Sequence, residues 1–253
     1  MAAAGRAARD VQLAGWSAGS GGQHRDAGED AVSGAGLDLL VGGPLAAWAI
    51  RRASPALVRR VVCLDDGLIA LAAGRGHDVF ADDPHETGFA PAPAALAVGF
   101  PLVLRPATIE RYGGAIWAIH AGLLPYGRGL HPVFWALWEA TPAGATLHEI
   151  TAAVNGGPIV EQREVAVLSS DTGGRLQVRV QGAERELFAR WLPRLAAGER
   201  PAARPQDSGG TLHALAEFEF MRDEGRYEVP RSERERLERC LTFPSVGAAA
   251  AQR

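Results

Sequence analysis

Residues 117–161 read WAIHAGLLPYGRGLHPVFWALWEATPAGATLHEITAAVNGGPIVE. An apolar run leads to His120, and a Leu-Leu-Pro turn and a glycine-rich loop follow it. A helical segment, a second strand-like run that carries His148, and a Gly-Gly-Pro turn complete the stretch. No other part of the chain combines so many polar and turn residues between apolar runs. We therefore predict that an active site, if the chain has one, lies in this stretch.

Short apolar runs upstream of this stretch alternate with helical patterns or crossover loops. They predict five strands, at residues 37–42, 58–64, 78–80, 95–99 and 115–120. This alternation predicts an α/β fold, with a mostly parallel sheet and flanking helices. Ligands of such sheets bind outside the carboxyl ends of the strands. Gly42, Gly99 and His120 fall at those ends.

Patterns in the rest of the chain suggest three parts. Residues 1–36 are rich in Ala, Gly, Ser and Asp and lack periodicity, so we predict a disordered N-terminal extension. Residues 37–200 form the α/β domain, and residues 201–253 form a linker and a small C-terminal extension. Within these parts we expect helices at residues 130–140, 175–197 and 232–241 and strands at residues 146–150 and 157–168.

Composition excludes several classes of function. The 26 basic and 29 acidic residues give a net charge of -3, which argues against general nucleic-acid binding. Every basic residue is arginine, which removes lysine Schiff-base chemistry. Two cysteines make neither a disulfide framework nor a zinc site, so we expect no metal and a reducing cytoplasm. No signal-peptide pattern and no run of ~18 apolar residues is visible, so we expect no membrane segment.

Four histidines allow more than one interpretation. His120 lies at the end of an apolar strand, where it could donate a proton or a hydrogen bond to an oxyanion, or cap the sheet edge. His148 lies inside a strand, and we favour a structural role for it. His77 and His85 lie in polar loops and are predicted to be surface residues.

The helical spacing of three bulky aromatic side chains predicts that they pack in the core. These residues are Phe134, Trp135 and Trp138. Exposure of Trp135 would favour a role in stacking on a substrate instead. Gly42-Gly43-Pro44 lacks a phosphate-binding pattern and is read as an ordinary strand-to-helix turn.

The stretch around His120 resembles the folate-dependent formyltransferases. That family includes glycinamide ribonucleotide, methionyl-tRNA and sugar-nucleotide N-formyltransferases. The matching features are His120, the Leu-Leu-Pro turn, Arg128-Gly129, the strand at residues 145–150, and Gly157-Pro158. Residues 98–101 look like the family's folate-pocket segment, and residues 242–248 resemble the ending of sugar formyltransferases. The resemblance implies a Rossmann-like formyltransferase fold.

The resemblance also implies roles for individual residues. It assigns catalysis to His120 and Asn155 and the binding of 10-formyltetrahydrofolate to Phe100, Leu102, Leu123, Leu124, Pro125 and Val154. It assigns substrate binding to Tyr126, Arg128 and His131. The expected partner is a small-molecule amine. We expect the protein to bind neither nucleic acid nor a membrane, and a homodimer is possible.

Two positions depart from the family pattern. Ala118 stands where the family has its catalytic asparagine, and Asn155 stands where it has an aspartate. Ala118 cannot bond a formyl oxygen, and Asn155 cannot carry a negative charge. Three hypotheses follow: formyl transfer by a variant mechanism centred on His120, a scaffold repurposed for another small-molecule reaction, or a non-catalytic binding homologue. In the first, Arg128, Tyr126 or a main-chain amide supplies the missing donor.

Overall fold

The computed structural model describes residues 36–86, 88–224 and 231–243. The N-terminal extension and most of the segment at residues 242–248 lie outside this part of the chain. The strands are β1 (Leu37–Val41), β2 (Val58–Val62), β3 (Val79–Phe80), β4 (Ala95–Val98), β5 (Ile116–His120), β6 (Arg128–Gly129), β7 (Ala143–Glu149), β8 (Ile159–Val165) and β9 (Leu212–His213). The helices are α1 (Ala46–Arg52), α2 (Asp66–Gly74), α3 (Pro106–Arg111), α4 (Pro132–Glu139), α5 (Gly173–Ala196), α6 (Leu215–Asp223) and α7 (Arg231–Leu241).

Seven strands form one sheet in the order β3-β2-β1-β4-β5-β7-β8, which confirms the predicted α/β class. The first five pair in parallel, and β7 and β8 add to the edge in antiparallel pairing. Every residue of β1 and β4 is buried, since helices or loops cover both faces. The carboxyl ends of β1, β4 and β5 therefore lie along one edge, as the sequence predicts.

The sheet separates two apolar clusters. On one face Leu39 packs in a cluster with Ile50 of α1 and Leu187 of α5. On the other face Leu40 packs in a cluster with Tyr112, and Phe100 and Ala118 border it. Residues next to each other in a strand point to opposite faces, so this second face is the one that carries Ala118 and His120.

Several predicted element boundaries are wrong by a few residues. Helix α4 begins at Pro132 and not at residue 130, because His131 takes a left-handed conformation and Pro132 occupies the first helical position. Strand β8 ends at Val165 and not at residue 168, because the Leu168 N–H donates to the Asp171 carboxylate and forms a turn before α5. The helix predicted at residues 232–241 agrees with α7.

The aromatic residues of α4 belong to the core. Phe134 is fully buried, and Trp135 is 5% exposed, which confirms the predicted packing role for these two side chains. They form a cluster with Phe218 of α6 and Leu237 of α7. Residues beyond 200 therefore complete the packing of α4. No helix in the described ranges is long and apolar enough to cross a bilayer.

Two glycine-containing turns meet at the carboxyl edge of the sheet. A Cβ atom on Gly42 would lie 2.6 Å from the Gly99 carbonyl oxygen and 2.8 Å from Pro101 Cδ. Gly99 has φ +61, a conformation that glycine adopts at little cost. The turns after β1 and β4 consequently pack backbone against backbone, beside the end of β5 that carries His120.

Candidate active site

His120 is the last residue of β5, and its ring is held by the loop that follows. Its Nε2 atom lies 2.8 Å from the Gly127 carbonyl oxygen. Because a carbonyl only accepts, Nε2 carries the proton and Nδ1 of the neutral ring keeps a lone pair. Burial lowers the pKa of His120 from its ordinary value, and the hydrogen bond to Gly127 opposes part of that shift. A neutral imidazole of fixed orientation therefore stands at the sheet edge.

Ala118 and His148 face each other across the pairing of β5 and β7. His148 is 2% exposed and its Nδ1 lies 2.7 Å from the Glu149 carbonyl oxygen, so Nδ1 donates and Nε2 is an acceptor. Within the described part of the chain, the buried Nε2 has no hydrogen-bond partner. The small Ala118 side chain thus leaves a buried acceptor unsatisfied beside the candidate site, a costly arrangement unless a ligand or water binds there.

The rings of His120 and His148 lie edge to face, with centroids 6.4 Å apart. Burial, and then the nearby His120, lower the pKa of His148 to about 4, against an opposing hydrogen bond to Glu149. At neutral pH both rings are therefore uncharged. His148 was predicted to be structural, and its unpartnered Nε2 gives it the chemistry of a ligand acceptor as well.

The burial of His148 predicts acid-sensitive stability. Its folded pKa of about 4 lies below the ordinary 6.5, so the unfolded chain takes up the proton first as the pH falls. The contribution of neutral His148 to the free energy of unfolding is therefore fully present above pH 6.5, and it is lost as the pH falls toward about 4. Between about pH 7 and pH 5 we expect a loss of about 2 kcal/mol from this group.

Urea unfolding of the wild type and of His148→Leu at the two pH values tests this expectation. The pKa values of His77, His85, His120 and His131 are also lowered, so the difference between the two proteins is the informative quantity. The variant should lose about 2 kcal/mol less than the wild type. Equal losses would contradict the burial argument.

Asn155 links the turn after β7 to the loop after β5. It has a left-handed backbone with φ 48, and its Oδ1 accepts a hydrogen bond from the Gly129 N–H at 2.9 Å. Gly129 lies two residues after Gly127, which holds His120. The structure thus connects the two residues predicted to be catalytic through the backbone of residues 127–129, and their catalytic roles stay predictions.

The residues predicted to bind the cofactor differ in accessibility. Phe100, Leu102 and Leu123 are half-buried, and Val154 is 43% exposed on the turn before Asn155. Leu124 is 2% exposed. Its N–H donates to Thr146 Oγ1, and its carbonyl accepts from Gln162 Nε2. Leu124 therefore packs into the fold and anchors the turn, so any direct contact of its side chain with a cofactor would need the turn to open.

The residues predicted to bind the substrate fall into two groups. Tyr126 and Arg128 are half-buried next to Gly127, and the buried Nε of Arg128 has no partner among the described atoms. His131 instead stacks on Phe218 of α6, with ring centroids 3.6 Å apart. The structure therefore brings Arg128 to the His120 loop and directs the His131 ring toward α6.

The prediction that His77 and His85 are surface residues is wrong. His77 is 6% exposed, and the side chain of His85 bonds Thr108 Oγ1 at 2.7 Å. Polar neighbours in sequence do not reveal which distant segments cover a loop.

The sequence analysis did not identify Asp38 as a buried polar residue. It is fully buried at the amino end of β1, where its carboxylate accepts hydrogen bonds from the Tyr112 hydroxyl and from the Ala92 N–H. The amino ends of the strands lie at the opposite edge of the sheet from His120, so Asp38 has a structural role.

No group of three or more His, Cys, Asp or Glu residues in the described ranges could hold a metal ion.

Comparison with known proteins shows what the segment that contains this site is similar to. The sequence model described as formyl transferase matches residues 88–192, a range that contains β5, the His120 loop, β7 and the Asn155 turn. This part of the chain is similar in sequence to formyl transferases. Ala118 and Asn155 therefore both lie inside the segment that matches the formyl transferase model.

One curated relative of the formyl transferase segment is the dTDP-4-amino-4,6-dideoxyglucose formyltransferase of Mycobacterium tuberculosis. It is 34% identical over 104 residues, which are 41% of this chain and 44% of that protein. The chain spans less than half the length of the curated relatives it matches, with 39% coverage for methionyl-tRNA formyltransferases.

Solved structures share the fold over more of the chain. A sugar N-formyltransferase from Shewanella sp. has a TM-score of 0.68 at 17% identity and covers 83% of this chain and 89% of its own. A formyltransferase from Anoxybacillus kamchatkensis, in complex with UDP-4,6-dideoxy-4-formamido-L-AltNAc and tetrahydrofolate, has a TM-score of 0.53 at 22% identity and covers 69% of this chain and 97% of its own. These likenesses show that the formyl transferase fold extends beyond the matched segment.

Proposed function

We propose that the protein transfers a formyl group from 10-formyltetrahydrofolate to the amine of a small molecule, of which a nucleotide-linked amino sugar is the best supported. The observation that carries this proposal is His120, a half-buried neutral imidazole oriented at the carboxyl edge of the sheet inside the segment that matches the formyl transferase model. The printed names of the relatives support the amino sugar and the folate. The net charge of -3 disfavours a tRNA substrate.

The residues near Ala118 suit a folate. Phe100 and Ala118 border the same apolar cluster and are both half-buried, so an apolar wall adjoins the place where the family has its asparagine. Val154 is exposed on the turn before Asn155. The buried Nε2 of His148 offers a hydrogen-bond acceptor to a ring N–H. When bound, 10-formyltetrahydrofolate supplies the one-carbon unit as an activated formyl group.

His120 performs the proton transfer in this proposal. A substrate amine that attacks the formyl carbon must lose a proton, and the departing nitrogen must gain one. The neutral ring takes that proton at Nδ1, because Nε2–H is engaged with Gly127, and returns it to the departing nitrogen. One C–N bond forms, one breaks, and no other reactant is needed. The fixed Nε2–H bond keeps Nδ1 in one orientation throughout.

Arg128 is the proposed replacement for the donor that Ala118 lacks. A formyl oxygen gains negative charge during the attack and needs a hydrogen-bond donor. The Nε of Arg128 is a buried donor without a partner among the described atoms, and Arg128 directly follows Gly127. A guanidinium group also carries its charge at any physiological pH.

A second candidate function is a different reaction on a small molecule, without folate. The replacements at Ala118 and Asn155 favour it, because they remove a hydrogen-bond donor and a carboxylate from the family's set. Retention of a ligand pocket without folate affinity would support this candidate. The same two replacements are compatible with a homologue that only binds its ligand.

The decisive experiment measures folate binding and product formation together. Calorimetry of the purified protein with 10-formyltetrahydrofolate is followed by incubation with dTDP- and UDP-linked amino sugars and with aminoacylated tRNA. We expect folate binding and mass-detected formylation of a sugar amine, with N-acetylated sugars as the control that lacks a free amine. Absence of both binding and formylated product would overturn the proposal, and formylated tRNA would overturn the substrate class.

A further inference from the structure

Residues 204–213 cross the candidate site after the long helix α5. We call this segment the strap. It lies outside the range matched by the formyl transferase family, and the sequence pattern marks it only as part of a Pro- and Gly-rich linker. In the structure its backbone and side chains hydrogen-bond to both segments that carry the residues predicted to be catalytic.

The first half of the strap holds the turn that contains Asn155. Arg204 and Ile159 exchange two backbone hydrogen bonds of 2.7 and 2.9 Å, so the strap begins as a bridge on β8. Gln206 follows, and its Nε2 donates to the carbonyl oxygens of Asn155 at 2.7 Å and Gly157 at 2.8 Å. One side-chain amide thus binds the backbone on both sides of Gly156.

The second half of the strap holds the loop that orients His120. Thr211 Oγ1 accepts from the Gly127 N–H at 2.9 Å, and the Thr211 carbonyl accepts from the Arg128 N–H at 3.0 Å. Gly210 has φ +103, and a Cβ atom there would collide with the Pro125 carbonyl. The strap therefore lies directly on the loop, and its backbone at Gly210 is so close to Pro125 that only glycine fits there.

We propose that the strap is a built part of the active site, with Thr211 and Gln206 as positioning residues. Thr211 holds Gly127, whose carbonyl orients His120, and Gln206 holds the turn whose Asn155 side chain bonds Gly129. The consequence for catalysis rests on the proposed function. The positional coupling itself does not, because it is a property of the protein without ligand.

Isosteric changes separate hydrogen bonding from shape. Thr211→Val removes the hydroxyl acceptor at nearly constant volume, and Thr211→Ser restores it. Gln206→Glu removes the amide donor and places a carboxylate against two carbonyl oxygens. Ser169→Ala, at an exposed position before α5 and outside the strap, is the matched control. Each variant is first checked for a wild-type melting profile of the whole protein.

The first readout needs no activity. In nitrogen-15 NMR spectra the His120 Nε2–H should exchange about tenfold faster in Thr211→Val and return to wild type in Thr211→Ser. In Gln206→Glu the backbone amide of Gly129 should exchange about tenfold faster, while amides of α5 stay unchanged. Unchanged exchange at both sites in folded variants would overturn the coupling.

The second readout uses formyl transfer. We expect kcat to fall about tenfold to a hundredfold in Thr211→Val with little change in KM, since His120 is misplaced after binding. Gln206→Glu should raise the KM for 10-formyltetrahydrofolate because the Val154–Asn155 turn is displaced. Ser169→Ala should match the wild type. Wild-type kinetics in both strap variants would overturn the catalytic part of the proposal. If the wild type shows no formyl transfer but the variants show the expected changes in exchange, the proposed function is refuted and the positional coupling stands.

Discussion

His120→Ala is expected to lower kcat/KM for formyl transfer by about 10²–10⁴-fold, the usual contribution of a positioned acid or base. The reason is the fixed ring: its Nε2–H is committed to Gly127, which leaves one nitrogen free to move the proton between amine and leaving group. Steady-state kinetics with the formylated sugar as product measures the loss. The pH profile adds a check, since activity should fall as the pH drops through the lowered pKa of His120.

His120→Gln is the matched control for this prediction. Its side-chain amide can still donate to the Gly127 carbonyl, so the loop keeps its anchor, but it cannot accept and return a proton at neutral pH. A loss comparable to that of His120→Ala would support proton transfer. Near wild-type activity in His120→Gln would show that the residue only orders the loop, and would contradict the proposed mechanism.

The second large effect is expected from restoring the family's residues. The double variant Ala118→Asn with Asn155→Asp should raise kcat by about 10²–10³-fold, the effect ascribed to a single oxyanion donor. The rise is not the product of two single effects, because cooperating groups are non-additive. Comparison of kcat in the wild type, both single variants and the double variant measures it.

The backbone is compatible with both replacements. Aspartate tolerates the left-handed conformation that Asn155 adopts, and its carboxylate still accepts from the Gly129 N–H. Ala118 is half-buried opposite His148, so an asparagine there could donate to the unpartnered His148 Nε2 or to a ligand. A folded, folate-binding double variant without any rise would show that Ala118 and Asn155 do not limit formyl transfer, and would favour the second candidate function.

The α/β architecture was predictable because it depends on local hydrophobicity. The buried runs of β1 and β4 are continuous in sequence, and strands covered on both faces require such runs. The approach of an apolar strand to His120 also put that histidine at the carboxyl edge. Element ends were less predictable because single hydrogen bonds decide them, as at Leu168 and Asp171.

The burial of loop histidines could not be predicted in this way. His77 and His85 sit among polar neighbours in sequence, yet other segments of the chain cover them. The importance of Gln206 and Thr211 was hidden for the same reason. Each is an ordinary polar residue in a linker pattern, and its partners lie about fifty and eighty residues earlier in the chain.

The amino-acid sequence by itself determined the sheet, the place of His120 and the two replaced positions, because each depends on short patterns of neighbouring residues. Tertiary structure alone decided three further features: the tautomer of His120, the unpartnered nitrogen of His148 opposite Ala118, and the strap across the site. These features depend on the directions of hydrogen bonds between segments that are distant in sequence. Only the folded chain brings their donors and acceptors together.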